Sequence, residues 1–237
     1  GIVCGDLTAS SGTVDTGRIA KDFVADFPDM AAPNVSTILS LITTLPSSGT
    51  IGIAGGITTY YKVSSYSSKS SDLLEVIGPV VIVVDGDVST KGEIKISNSG
   101  TDTGSVEMYV AGDVDIGGNG VVNMSDTPAN FMLFGTAASG SSQNIKVSGN
   151  GAIKAAIYAP NAELELKGSG SNGVFMGAAV ANNIKMTGNF EFHYDEALGN
   201  MSFDNSYRIS RWRELIESDE RVPLTVPTDM VAHAVIY

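Results

Sequence analysis

The chain has 237 residues, 43% of them hydrophobic and only 17% charged, with 27 glycines. That is enough apolar material for one substantial core, and glycine mixed with small polar and β-branched residues favours strands and tight turns over helices. The formal charge of −12 repels nucleic acid and anionic bilayers alike, and the lone Cys4 excludes an intramolecular disulfide or a CxxC site.

Residues 2–16 open with Ile2-Val3-Cys4-Gly5-Asp6-Leu7, a short apolar run followed by a small residue and an acid, and are read as a first coil. Residues 17–46 read differently. Ile19, Phe23 and Phe27 recur at helical spacing up to Pro28, and Ile38, Leu39, Ile42 and Leu45 do so up to Pro46, with Asn34 placed as an N-cap. Two short amphipathic helices are predicted, capping the first coil or lying along one side.

Residues 47–198 hold the main signal, which is internal repetition. Val83-Val84-Asp85-Gly86-Asp87-Val88 matches Tyr109-Val110-Ala111-Gly112-Asp113-Val114, a shift of 26 residues from Asp87 to Asp113. Ile157-Tyr158-Ala159-Pro160-Asn161-Ala162 and Ala179-Val180-Ala181-Asn182-Asn183-Ile184 repeat the form more loosely, with a shift of 22 from Asn161 to Asn183. A second register links Ile145, Leu164 and Ile184 by shifts of 19 and 20, and around each of them apolar and polar residues alternate as in a half-buried strand.

Units this short cannot bury an apolar face alone, but stacked as coils at a strand spacing of about 4.8 Å they enclose a continuous core. The fold class expected is therefore all-β, a single-stranded right-handed parallel β-helix of six or seven coils with short helical capping segments. Residues 97–105 and 138–144 are expected to bulge out as loops. A β-propeller needs blades of roughly 40 residues, well above this period. Residues 199–237 are read as a C-terminal cap and tail, with Ser210, Trp212, Leu215 and Ile216 in a short amphipathic helix, which leaves one domain over the whole chain. No stretch reaches the roughly 18–20 apolar residues of a membrane span, since 76–84 is broken by Gly78-Pro79.

Four aspartates merit comparison with catalytic or Ca²⁺-binding carboxylates: Asp85, Asp87, Asp113 and Asp115. Their place at a corner that recurs as Asn161 and Asn183 favours a structural ladder of hydrogen-bonding side chains instead. His193-Tyr194-Asp195-Glu196 is the densest titratable cluster, but strand alternation puts only His193 and Asp195 on one face, and His233 is far along the chain. Gly117-Gly118-Asn119-Gly120 is a turn, and no nucleophile elbow, phosphate loop or dinucleotide fingerprint is present. No catalytic residue, metal site or cofactor is expected.

The run over 83–198, with Ser148-Gly149-Asn150-Gly151, Ile157-Tyr158-Ala159-Pro160-Asn161-Ala162, Gly177-Ala178 and His193-Tyr194-Asp195-Glu196-Ala197-Leu198, resembles the β-helical C-terminal domain of bacterial PilX-type, type IV pilus-assembly proteins. Ser210-Arg211-Trp212-Arg213-Glu214-Leu215 is similar to that family's tail. The motif positions are Tyr158, Pro160, Asn161, His193, Tyr194, Asp195, Glu196 and Trp212. The resemblance implies export to the bacterial envelope behind an N-terminal pilin-like helix, which is absent from this sequence and would supply the only membrane contact. It also implies a surface location, a non-catalytic structural or adhesive role, and pilus or envelope subunits or a surface glycan as partners. The alternative is a polysaccharide-binding or polysaccharide-cleaving β-helix.

Overall fold

The computed structural model describes residues 3–4, 19–20 and 27–198, apart from 119, 126, 150–151, 169–172, 189 and 196–197. Two short strands, β1 (Val3–Cys4) and β2 (Ile19–Ala20), pair with each other in parallel. From residue 49 the chain winds as a parallel β-solenoid of about six turns.

Each early coil contributes one strand to each of three faces. The first coil supplies β3 (Gly49–Ile51), β4 (Thr59–Val63) and β5 (Tyr66–Ser68), and the second β6 (Leu73–Val76), β7 (Pro79–Val84) and β8 (Val88–Thr90). The third contains β9 (Glu93–Ile96), a small antiparallel hairpin of β10 (Asn98–Ser99) and β11 (Asp102–Thr103), then β12 (Ser105–Val110) and β13 (Val114–Ile116). The fourth holds β14 (Gly120–Asn123), β15 (Phe131–Gly135) and β16 (Gln143–Gly149). Then β17 (Ala152–Gly168) and β18 (Gly173–Thr187) each run through the corner between the second and third faces as one long strand, and β19 (Phe190–Tyr194) pairs with the start of β18.

Parallel registers define the repeat. On the second face Thr59, Val80, Val106 and Phe131 are successive partners, 21, 26 and 25 residues apart. On the third face Val88 pairs with Val114, and Ile145, Leu164 and Ile184 follow one another, as the sequence shifts of 26, 19 and 20 require. Extra residues are extruded: 98–103 form the hairpin, closed at its base by Gly104 N–H donating to the Ser97 carbonyl at 2.8 Å, and Ser105 is already in register in β12.

Alternation turns every second residue inward, and inward residues stack in rows. Tyr61, Ile82, Met108, Leu133 and Ile157 form one row, Val88, Val114, Ile145 and Leu164 another, and Leu74, Ile94 and Val121 a third. Burying each such aliphatic side chain contributes roughly 1.5–3 kcal/mol. Glycine is required where coils come closest. Gly118 has φ +67°, and a Cβ there would meet the backbone carbonyl of Lys91 in the coil below.

Of the two helices predicted over 17–46, most of the first, residues 21–26, lies outside the described residues, and the second is not found. Ile19–Ala20 is a strand, and residues 34–46 form isolated turns and one parallel bridge, Ile42 with Tyr61. The apolar spacing there is helical, but five of the residues between 36 and 44 are Ser or Thr, which compete for backbone hydrogen bonds. Asn34 Oδ1 accepts from the Ser36 N–H at 3.2 Å, and Ile38 and Leu41 each donate to a carbonyl three residues back, so no i to i−4 ladder starts. Ile42 instead extends the second face by one rung, and Leu45 packs on the core end. Pro128–Asn130 is a 3-10 segment. The helix read at 210–216 lies outside the described residues.

Leu133 sits in the middle of its row and is fully buried. Leu133→Ala should lower unfolding free energy by about 2–5 kcal/mol in urea titration, with little change in slope.

Candidate functional site

The recurring acid corner between the second and third faces is the natural place to look for chemistry. It is a ladder. Asp87 Oδ1 accepts the backbone N–H of Asp113 at 2.9 Å, and Asp113 Oδ1 accepts the backbone N–H of Asn144 at 2.8 Å. Main-chain bonds bind the same rungs, with Tyr66 N–H donating to the Asp87 carbonyl at 3.0 Å and Val88 N–H to the Asp113 carbonyl at 2.8 Å. Each carboxylate thus satisfies a corner amide of the next coil, where the strand ladder is interrupted.

The other predicted rungs fall elsewhere. Asp85 pairs with Lys62 at 3.3 Å on the outside of the second face. Asp115 points outward on β13, between Ser89 and Lys146. Asn161 and Asn183 are not successive rungs. The register is 22 residues up to Ala159 and Ala181, then shifts so that Glu163 faces Asn183, because the corner in β18 is two residues shorter. Asn144 takes the third rung, and the four aspartates do not converge on one groove.

The motif residues Tyr158 and Asn161 have a different role. Tyr158 donates its hydroxyl to the Pro28 carbonyl at 2.8 Å and meets Phe27 edge to face at 6.5 Å. Asn161 Nδ2 donates to Asp29 Oδ1 at 2.7 Å and to the Ala137 carbonyl at 2.9 Å, and Ser139 N–H donates to Asp29 Oδ2 at 3.3 Å. Pro160 is half-buried between them. His193 and Tyr194 are exposed on β19, His193 beside Glu191 at 3.2 Å, while Asp195 N–H donates to the Gly177 carbonyl where the chain leaves the last strand. Glu196, Trp212 and His233 lie outside the described residues.

Several polar devices carried no repeat signal. Buried Gln143 donates to the carbonyls of Val110 at 2.9 Å and Gly112 at 2.6 Å, plugging the corner of the coil below. Asn123, facing inward in the row of Val76 and Ile96, joins Ser125, the Thr127 carbonyl and the Lys154 carbonyl in a bonded network. Glu75 Oε1 accepts from Lys95 Nζ at 2.8 Å and Ser97 Oγ at 2.9 Å on the outer side of the first face. A shallow groove of about 350 Å³ is lined by Ser139, Gly140, Ser141, Ser142, Asn161 and Asn182.

Among the described residues, no group of three or more His, Cys, Asp or Glu is placed to hold a metal ion, and no helix is long and apolar enough to cross a membrane. The arrangement binds coil to coil; Asp87 and Asp113 are acceptors for backbone amides.

Removing the middle rung by Asp113→Ala should lower unfolding free energy by about 1 kcal/mol, whereas Asp113→Asn keeps an acceptor and Asp115→Ala stays within about 0.5 kcal/mol, as read by thermal melts. Acid sensitivity should arise partly at Glu75, whose pKa is lowered from 4.5, first by the Lys95 hydrogen bond and then by that from Ser97. A carboxylate held below its unfolded pKa contributes stability above that value and loses it as pH falls through the folded pKa. Glu75→Gln should therefore flatten the fall of melting temperature with pH below about 4.5.

Searches of curated proteins and of solved structures match none to this chain. The family model described as a domain of unknown function, DUF7305, matches residues 27–201, from the residue beside Tyr158 to just past the last coil. The chain belongs to the DUF7305 family.

Proposed function

We propose that this domain is a non-catalytic structural or adhesive module, a stiff spacer displayed at the bacterial cell surface by a pilus-associated envelope protein. The observation that carries this reading is the corner ladder. The carboxylates that a β-helical hydrolase would aim into a common groove serve here as hydrogen-bond acceptors between coils, Asp87 to Asp113 and Asp113 to Asn144. An inside filled by aliphatic rows favours stiffness. The acidic, lysine-poor composition suits a soluble surface module, and the resemblance of residues 83–198 to PilX-type domains supplies the pilus context. Pilus or envelope subunits are the partners this reading expects, with no cofactor.

A second reading, neutral polysaccharide binding, is favoured by the groove at Ser139–Ser142, Asn161 and Asn182, whose hydroxyl and amide groups suit an uncharged, hydroxyl-rich ligand.

Labelling intact cells that produce the full-length protein with a membrane-impermeant amine reagent should modify the domain before lysis, and shearing should release it with surface appendages. Labelling only after lysis would defeat the surface assignment. Retardation in gels containing neutral glucans, abolished by Asn182→Ala, would move the reading toward the glycan-binding alternative.

A further inference from the structure

The outside of the second face is unlike the rest of the surface. By alternation Val81, Val83 and Phe134 point away from the core, and none belongs to the inner cluster, yet they are only 7%, 4% and 2% exposed. Tyr109 stacks on Phe134 at 4.6 Å, and burial, more than the neighbouring Glu107, drives its pKa upward. An apolar band therefore crosses this face beneath a cover.

Residues 27–41 run between two ties to that face. One end is tied at β17 by the bonds from Tyr158 and Asn161 to Pro28 and Asp29. The other is tied at β4, where Ile42 N–H donates to the Tyr60 carbonyl and Lys62 N–H donates to the Ile42 carbonyl, both at 2.9 Å. Because β4, β7, β12, β15 and β17 are consecutive on that face, the segment must cross about 19 Å of strands, four spacings of about 4.8 Å. Val35, midway along it, is 2% exposed without belonging to the inner core.

Between its ends the segment makes little structure of its own. Its described backbone bonds are two short turns, Ile38 to Val35 and Leu41 to Ile38, and Leu39 is fully exposed. Segments with few backbone bonds and side-chain anchors open at far lower free energy than the ladders beneath them.

We propose that residues 27–41 are a strap that opens as a unit, separate from the solenoid, with Asp29, Tyr158 and Asn161 as its latch. Opening uncovers the apolar band of Val81, Val83 and Phe134. The match of the family to the chain begins at residue 27, so the strap belongs to the family's domain rather than to the segment before it. The Tyr-Ala-Pro-Asn motif at 158–161 thereby gains a physical role, since its tyrosine and asparagine hold a segment about 130 positions away in the chain.

Amide hydrogen exchange on the full chain tests this. In the parent protein the Ile38 and Leu41 amides should exchange at least a hundred-fold faster than the Met108 and Leu133 amides of the central coils. Asp29→Ala lies on the strap itself, outside the coils, and should speed Ile38 and Leu41 exchange by roughly ten-fold or more, with Tyr158→Phe giving roughly three-fold. Exchange at Met108 and Leu133 should stay unchanged in both variants, and binding of an apolar dye should rise in Asp29→Ala as the band is uncovered. Strap amides exchanging at the same rate as the central coils would overturn the proposal, as would Asp29→Ala leaving Ile38 and Leu41 unchanged. Acceleration of strap and coils by the same factor would do so as well.

Discussion

Parallel pairing between consecutive coils is the constraint from which the rest of this structure follows. A strand in a parallel ladder sits beside its counterpart one coil away, so the residue at each inward position must tolerate a near copy of itself about 4.8 Å above and below. Val88, Val114, Ile145 and Leu164 meet that demand on one face, and Leu74, Ile94 and Val121 on another. The same demand explains the tapering row Val63, Val84, Val110, Gly135 and Ala159, in which side chains shrink where Gln143 enters the adjoining corner. Loops of any length are acceptable as long as they return the chain to register, as the hairpin at 98–103 does.

Corners are the weak points of such a ladder, because the turning backbone presents amides and carbonyls that no strand partner reaches. The corners described above are satisfied by a short side chain from a neighbouring coil or turn: Asp87, Asp113, Gln143, or the Asn123 and Ser125 pair. This accounts for a chain so rich in small polar residues and so poor in charge. Long charged side chains take outward positions, where Lys62 with Asp85 and Lys95 with Glu75 bridge adjacent coils.

The solenoid was legible because its signals are local and repeated. A β-branched run, a small corner and a glycine turn recur at intervals that the registers reproduce, including the steps of 19 and 20 through Ile145, Leu164 and Ile184. The segment 34–46 misled because apolar residues three and four apart describe a helix only if the backbone bonds to itself. Here the same residues are drawn onto an existing surface, Val35 on the outside and Leu45 at the core end, and hydroxyl-rich neighbours weaken the helical alternative. Asn161 read as a ladder rung because its neighbours repeat, yet its partner is Asp29, a contact with no repeat and no fixed spacing. Gln143 was invisible for a related reason: a single plug has no second copy to align with.

The path of the strap also decides how the domain would respond to tension. Residue 27 is fastened beside β17, although the solenoid begins at β3, so a pull on the chain upstream reaches Tyr158 and Asn161 before it reaches the first coil. Such a pull would peel the strap toward Ile42 over some fifteen residues, releasing slack while all the coils stay wound. A module pulled through that end would yield first in its harness and only afterwards in its coils.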